Sequence, residues 1–403
     1  MKKSSKILYH LVFFTTLSIV VFSLFAIIFP SFLMTTFYPY TTNLQPFESS
    51  VWLVPIISSN SILLVIGFAY YRKKLPLQIY KGIEFILNFE ISKKTALLTG
   101  IIILVVYIGF SLPELAIDEA TQYDDWGVLE SALEVWPSTD SDDIYINEQN
   151  TRYVRMLLLD ASSDLFQNIK LLPFVASILL VVVTFFLTYQ ITQKRFAGII
   201  SMVILLQSHT FLHFDTIAVY ENFWVLFYVV SLYAINKKWQ YSSISYLLSI
   251  FSKAFIAVFF LSSLYYICRA SISTRKKLYT LASYATSLIV ILLVFSFGES
   301  IYFDIINISS SEFFLAFNAL GYTLRYDLII VLSLLPLTLG LFFKFRKENS
   351  KKVDSILVLI LTALLAGPVI SMLTDFYFIL PYRFLPLIVF VAVGIGVLLS
   401  KKN

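Results

Sequence analysis

Charge is what this sequence has least of. Asp, Glu, Lys and Arg make up 14% of the residues, where an ordinary soluble domain carries about a quarter. Apolar residues reach 58%. That pairing excludes an ordinary soluble fold and points to an integral membrane protein. There is one cysteine, Cys268, which excludes an intrachain disulfide and a thiolate metal cluster. The sequence has no heptad stretch, no Gly-rich phosphate loop, no HExxH and no paired Cys/His ligands. No strong internal repeat is visible, which counts against transporters built from duplicated halves.

Long apolar runs are present instead. Crossing the hydrocarbon core takes roughly 20 apolar residues per helix, and only helices or closed barrels satisfy the backbone there. The runs are continuous and do not alternate at period two, which selects helices over a barrel. The fold expected is all-α and polytopic, with about twelve transmembrane segments. They are read at 7–30, 51–71, 95–113, 171–190, 197–212, 217–235, two short pieces within 241–270, 278–298, 326–343, 353–373 and 384–400. The first run has no small-residue cleavage site before its end, so it reads as a retained helix and not a removed signal peptide.

The basic residues test that topology. With the N-terminus inside, 24 of the 30 Lys and Arg fall in inner segments, as the positive-inside rule demands. Arg152, Arg155, Lys170, Lys253, Arg325 and Arg383 remain outside. Both termini are then cytoplasmic in a multi-pass protein of the cell membrane. The inner clusters are orientation signals touching anionic lipid, and they require no nucleic-acid partner. Cys268 reads as a packed residue near a cytoplasmic helix end.

One long polar segment stands out, 114–170, placed outside the membrane by this count. It holds thirteen acidic residues against three basic ones, a net charge of −10 in a chain of +5. It divides the chain into three expected regions. Residues 1–94 form an N-terminal hairpin with a basic loop. Residues 95–298 form a module containing the acidic loop. Residues 299–403 form an outer loop, 299–325, followed by closing helices.

Asp118-Glu119 sits about five residues past a membrane segment, where a low-dielectric neighbour desolvates a carboxylate and suits it to general-base work. A plain solvated acid is the alternative. Asp124-Asp125, followed by Trp126, is a second such pair. Lys253 stands alone in an apolar stretch, where an ionisable group is costly unless paired or snorkelling. Phosphate or carboxylate binding competes there with a snorkelling lysine. Arg155 shares a helical face with Arg152, and Arg325 reads as a local pair with Asp327. His209, His213, Asp215 and Glu221 cluster beside one outer segment end. A divalent cation is compatible with that group, but its loose spacing favours a hydrogen-bonded support, and no cofactor is required. The acidic run 140–143 with Glu148 lacks the turn glycine of a calcium loop. Asn307 begins a weak glycosylation sequon. Tyr123, Trp126, Trp136 and Tyr145 suit either sugar stacking or the membrane interface.

The stretch LAIDEATQYDDW, a membrane segment followed at once by an Asp-Glu pair, resembles the first outer loop of the GT-C glycosyltransferases. These are polytopic enzymes that take a sugar from a polyprenyl-phosphate carrier, and the protein O-mannosyltransferase and aminoarabinose transferase type is the nearest in pattern. The later stretches HTFLHFDTIAVYENFW, with Glu221, and FSKAFIAVFF, with Lys253, follow in the family's order. The likeness covers about 95–270, in pattern more than identity. It implies Asp118 as catalytic base or acceptor-positioning group, with Glu119 beside it. It implies Lys253 and Arg383 near the carrier phosphate. Glu221, His213, Asp215, Arg155 and Asp125 complete the expected substrate-binding set. The implied partners are a polyprenyl-phosphate sugar donor, a glycan, protein or lipid acceptor, and membrane lipid. The chain departs from the family in placing this loop after the third segment, and His213 and Asp215 stand where the family often has an Arg. The expected activity is inverting sugar transfer on the extracytoplasmic face. A transporter or lipid-linked-sugar flippase ranks second, and a non-catalytic membrane scaffold third.

Overall fold

The computed structural model describes residues 3–37, 45–121, 123–137, 146–147, 149, 151–297, 308–348, 351–374 and 380–401. The acidic run 140–143, Tyr145, Glu148 and Asn307 lie outside the described residues. Every regular element among the described residues is helical. In chain order the helices are α1 (Lys3–Ile28), α2 (Pro30–Phe37), α3 (Leu53–Tyr71), α4 (Leu77–Asn88), α5 (Lys93–Ser111), α6 (Trp126–Val135), α7 (Tyr153–Phe166) and α8 (Leu171–Thr192). They continue as α9 (Arg195–Leu205), α10 (His209–His213), α11 (Phe223–Lys237), α12 (Gln240–Ser252), α13 (Phe260–Arg269) and α14 (Thr274–Phe297). Last come α15 (Ser310–Leu324), α16 (Leu328–Glu348), α17 (Lys351–Leu373) and α18 (Leu385–Leu398).

Eight helical stretches among the described residues are long and apolar enough to cross a membrane. They answer to eight of the expected segments. The other four expected segments are shorter helices. α9, for example, has 11 residues, about 16 Å at 1.5 Å per residue, against a hydrocarbon core of roughly 30 Å. The expected outer loop 299–325 also differs, because 310–324 is helix α15. Its Leu315, Ala316, Phe317 and Leu320 are buried, and α15 packs on α1, α2 and α17. Apolar packing, not length, makes it a helix. Cys268 is exposed, not packed.

The chain divides into two compact units, one of Met1–Ala96, Thr188–Thr210 and Ile305–Asn403, the other of Leu97–Leu187 and Phe211–Asp304. The first unit is built around α18, which is apolar on all sides and buried along nearly its whole length, as expected of a central helix. α9, α16 and α17 pack against it. Gly396 makes the α9 contact close, since a Cβ there would lie 2.6 Å from the Ala197 carbonyl oxygen. The basic segments of this unit gather at one end. Lys194 Nζ donates to the Leu87 carbonyl, Lys352 Nζ to Gln190 and Lys344 Nζ to Ser400, while Lys401 ion-pairs Glu84. Elsewhere in the unit, Asp327 accepts from Ser208 Oγ at 2.6 Å and from the Thr210 hydroxyl. The Arg325 guanidinium lies over the Tyr326 ring.

In the second unit α11 and α12 form a tight hairpin. Its seam is lined by small residues. Ser242, Ser245 and Ser249 each donate to a carbonyl of the partner helix, at 2.6 to 2.9 Å. Small hydroxylated residues let helices approach closely in a membrane and satisfy their own donors. α12 ends at Ser252, and the backbone is extended at Lys253 before a 3-10 turn, Ala254–Phe259. α7 and α14 pack on α12.

Candidate functional site

The candidate site belongs wholly to the second unit. Its centre is the nine-residue loop from Phe214 to Asn222, between α10 and α11. The loop lacks regular structure, so its backbone groups need partners from elsewhere. Side chains from three other segments supply them.

The first segment is the turn that follows α5. Pro113 opens a 3-10 turn, Leu112–Ala116, and a second short turn, Glu119–Thr121, follows. The two carboxylates of the Asp-Glu pair point opposite ways. Glu119 is 2% exposed. Its Oε1 accepts from the Ala218 N–H at 2.6 Å and its Oε2 from the Val219 N–H at 3.0 Å. Burial pushes its pKa up, against the pull of those two donors, Lys170 and Arg155. Asp118 is exposed. Its Oδ1 accepts from the Ala120 N–H at 3.0 Å, and Thr121 Oγ1 donates to its carbonyl at 3.0 Å, closing an Asx-type turn. The expected desolvation therefore falls on Glu119 and not on Asp118.

Lys170 stands just before α8. Its Nζ donates to the carbonyls of Glu114 at 2.6 Å and Ile117 at 3.1 Å, and lies 3.9 Å from Glu119 Oε1. Burial lowers its pKa while Glu119 and Glu114 oppose that shift. This lysine caps the turn that carries the acid pair.

The second segment is α7. Arg155 is 1% exposed. Its Nε donates to Glu221 Oε2 at 2.9 Å, one terminal nitrogen to the Val219 carbonyl at 2.8 Å, and the other to Gln149 Oε1. A planar guanidinium suits this, because it satisfies several acceptors in one fixed geometry. Glu221 is fully enclosed, and its Oε1 has no hydrogen-bond partner. The charges of Arg155 and Lys253 both act on it. Lys253 is 8% exposed, with its Nζ 5.5 Å from the centre of the Trp224 ring. The structure thus brings Arg155, Glu221 and Lys253 into one buried group.

The third set of partners comes from α5 and α8 themselves. Ser111 Oγ donates to Asp215 Oδ2 at 2.7 Å, and Ser177 Oγ donates to the Asp215 carbonyl at 2.7 Å. Asn222 Nδ2 donates to Ser177 Oγ at 3.0 Å. The Tyr107 hydroxyl lies beside Asp215, whose Oδ1 makes no hydrogen bond. Burial pushes Asp215 up to about 7, against the Ser111 donor. Thr216 Oγ1 donates to Glu114 Oε2 at 3.1 Å. At the rim, Tyr220 Oη donates to Asp125 Oδ2 at 2.7 Å, and both are accessible.

The histidine and the aspartate of the expected hydrogen-bonded group differ in setting. His213 is exposed with its ring against Phe214, whereas Asp215 is fully buried. Among the described residues no group of three His, Cys, Asp or Glu is arranged to hold a metal ion. Arg383 and His209 belong to the first unit. There Arg383 lies over Tyr382, 5.9 Å from its ring centre, and His209 lies near Tyr326.

Sequence reasoning passed over Tyr107, Glu114, Ser111, Ser177 and Asn222 as site members. All are ordinary residues on apolar helices or at their ends, with no motif to mark them.

The arrangement fixes one loop by a bidentate carboxylate, a guanidinium and a row of hydroxyls. It leaves Asp118 accessible on a turn bolted to that loop. No family model, curated protein or solved structure matches this chain.

Proposed function

We propose that the chain is a membrane glycosyltransferase of the GT-C type, moving a sugar from a polyprenyl-phosphate carrier to an acceptor at the extracytoplasmic face with inversion. The observation that carries this reading is the split of the acid pair. Glu119 clamps Ala218 and Val219, so the turn that carries the accessible Asp118 is fixed to the loop that Arg155 holds from within through Val219 and Glu221. A catalytic carboxylate needs such a fixed mounting, because positional error is costly in rate.

In this reading Asp118 accepts the proton of the acceptor hydroxyl. The hydroxyl oxygen bonds to the anomeric carbon as the bond from that carbon to the phosphate oxygen breaks. The carrier phosphate leaves with the bonding pair. Lys253 and Arg155 offset its charge, an electrostatic role for buried cations. Phosphate is a good leaving group, so a second carboxylate acting as acid, required in glycosidases, is not needed here. Asp125, His213 and Tyr220 form the accessible rim on the acceptor side. Arg383 is assigned to the carrier on sequence pattern alone.

The sidedness rests on the positive-inside rule. It draws support from the gathering of Lys194, Arg195, Lys344, Lys352 and Lys401 around Leu87, Glu90 and Glu84 at one end of the first unit. A second reading, movement of a lipid-linked sugar without chemistry, is favoured by the burial of Arg155, Glu221 and Lys253, since intramembrane charge often lines a transport path.

The test is transfer from polyprenyl-phosphate sugars by the reconstituted chain, comparing wild type with Asp118→Asn and Lys253→Ala. Product with inverted anomeric configuration and its loss in Asp118→Asn support the proposal. Full turnover in Asp118→Asn refutes the mechanism. Translocation of the lipid-linked sugar without any product supports the second reading.

A further inference from the structure

The stretch 72–94 reads as a basic polar link between two apolar helices, yet it folds into helix α4. Pro76 precedes the first turn, where its fixed φ suits a helix start. The helix has 12 residues, too few to cross a bilayer. Its two sides differ in chemistry. Ile79, Ile83 and Ile86 recur at helical spacing on one stripe, and Lys81, Glu84 and Asn88 on the opposite one.

The polar stripe is tied to the protein. Glu84 accepts from the Tyr70 hydroxyl at 2.8 Å and pairs with Lys401 at 2.8 Å, which holds its pKa down at about 2. Asn88 donates to Glu84 Oε2 at 3.0 Å. The carbonyl of Leu87 accepts from Lys194 Nζ and from the Lys401 N–H. Cations at a helix C-terminus satisfy its last carbonyls and its dipole.

The apolar side is not covered. No residue of α4 is buried; on the stripe Ile79 and Ile86 are 51% and 44% exposed and Ile83 is half-buried, and Phe85, 66% exposed, stands off the stripe toward Lys81. A Cβ at Gly82 would meet nothing within 4 Å. At the two ends of this helix Arg72, Lys73, Lys74, Lys93 and Lys94 are all exposed, as is Lys81 on its opposite stripe. Both acids of the stretch are already engaged, Glu84 by Lys401 and Glu90 by Arg195 at 3.2 Å. The patch therefore presents a strong positive excess beside bare isoleucine and phenylalanine.

We infer that α4 is an interfacial anchor that docks on an anionic phospholipid surface. Its apolar stripe enters the headgroup boundary, and the five cations at its two ends engage lipid phosphates. A large apolar stripe with flanking Lys and Arg on a short helix is the pattern that lies in a membrane interface, and each nearby cation strengthens attachment to anionic lipid. The inference does not depend on the transferase reading.

The single native cysteine makes the test direct. In a Cys268→Ser background, single cysteines at Ile79, Ile86, Lys81 and Asn88 are spin-labelled in the full chain. The chain is reconstituted into phosphatidylcholine vesicles with and without phosphatidylglycerol. Labels at 79 and 86 are expected to collide with oxygen and to be shielded from a water-soluble nickel chelate, and labels at 81 and 88 the reverse. Removing charge with Lys73→Gln, Lys74→Gln and Lys93→Gln together is expected to lower the phosphatidylglycerol-over-phosphatidylcholine preference of co-purified lipid several-fold. Nickel access at 79 and 86 equal to that at 81 overturns the inference. So does shielding of 79 and 86 from both reagents, the signature of a protein partner on this face, or an unchanged lipid preference in the triple variant.

Discussion

Replacing Glu119 by Gln changes one oxygen for one nitrogen and preserves shape. At this position that exchange is severe. Both oxygens of Glu119 accept from backbone N–H groups, Ala218 at 2.6 Å and Val219 at 3.0 Å. A glutamine has one acceptor, so its amide nitrogen must face the other N–H, donor against donor. One charge-assisted bond, worth about 1.5–3 kcal/mol, is lost, and the N–H left behind in a buried site costs about 1–3 kcal/mol. Relief of the carboxylate's burial, the same burial that raises its pKa, offsets part of this. A net destabilisation of about 2–3 kcal/mol is expected. In a unit of this size that lowers the unfolding midpoint by roughly 5 °C or more. Its neighbour is the control. Asp118→Asn keeps the oxygen that accepts from Ala120 and lies exposed, so its cost is within about 0.5 kcal/mol. The assay is thermal unfolding of the purified chain in detergent, followed by tryptophan fluorescence, with limited proteolysis of the 114–137 segment as a local readout. If Glu119→Gln melts together with Asp118→Asn, the bidentate clamp does not hold the loop, and the argument that it mounts Asp118 fails with it.

Three further outcomes follow from the same packing. Arg155→Met leaves Glu221 buried without its 2.9 Å partner and is expected to cost about 3–5 kcal/mol, while Arg155→Met with Glu221→Gln recovers much of that; a double-variant cycle in detergent unfolding that shows pure additivity refutes the pairing. Gly396→Ala drives a methyl to 2.6 Å from the Ala197 carbonyl and 2.8 Å from Thr188 Cγ2, and overpacking of this kind costs about 1–3 kcal/mol; an unchanged midpoint refutes the close approach of α9 and α18. Asp215 has a folded pKa of about 7 against an ordinary 3.8, so the folded state binds its proton more readily than the unfolded state, and stability falls as pH rises from about 4 to about 7. Asp215→Asn removes that decline, and parallel stability curves for the two proteins across this range count against it.

Much of the fold is legible because a bilayer imposes a simple demand. Runs such as 171–190 and 353–373 are apolar for long enough that only a helix serves, and the helices lie where the runs do. Lys253 is legible as a break for a related reason. A lone ammonium in an apolar stretch has to be accommodated somehow, and the chain ends α12 at Ser252 and turns Lys253 inward over Trp224. α15 was not legible. SSEFFLAFNALGYTL is short and carries Ser, Glu and Asn, so nothing local separates it from a loop. It is helical because α1, α2 and α17 cover its apolar side. α4 was missed for the opposite reason, since its basic surroundings masked a regular isoleucine stripe.

The site shows where local reading stops. Two consecutive acids in a tight turn must point in different directions, yet their order in the chain does not say which one turns inward. That choice is made by two N–H groups about a hundred residues away, on a loop whose backbone has no helix to satisfy it. Glu119 meets that need and Asp118 is left at the surface. The serines and the asparagine around Asp215 follow the same logic. Each satisfies a backbone or carboxylate group of the 214–222 loop, and each is unremarkable until the loop's unmet hydrogen bonds are counted. A search of the sequence for charged residues finds Asp118, Asp215 and Glu221, but it has no means of finding the hydroxyls that hold Asp215. Those belong to the loop's backbone demand, which only the folded chain expresses.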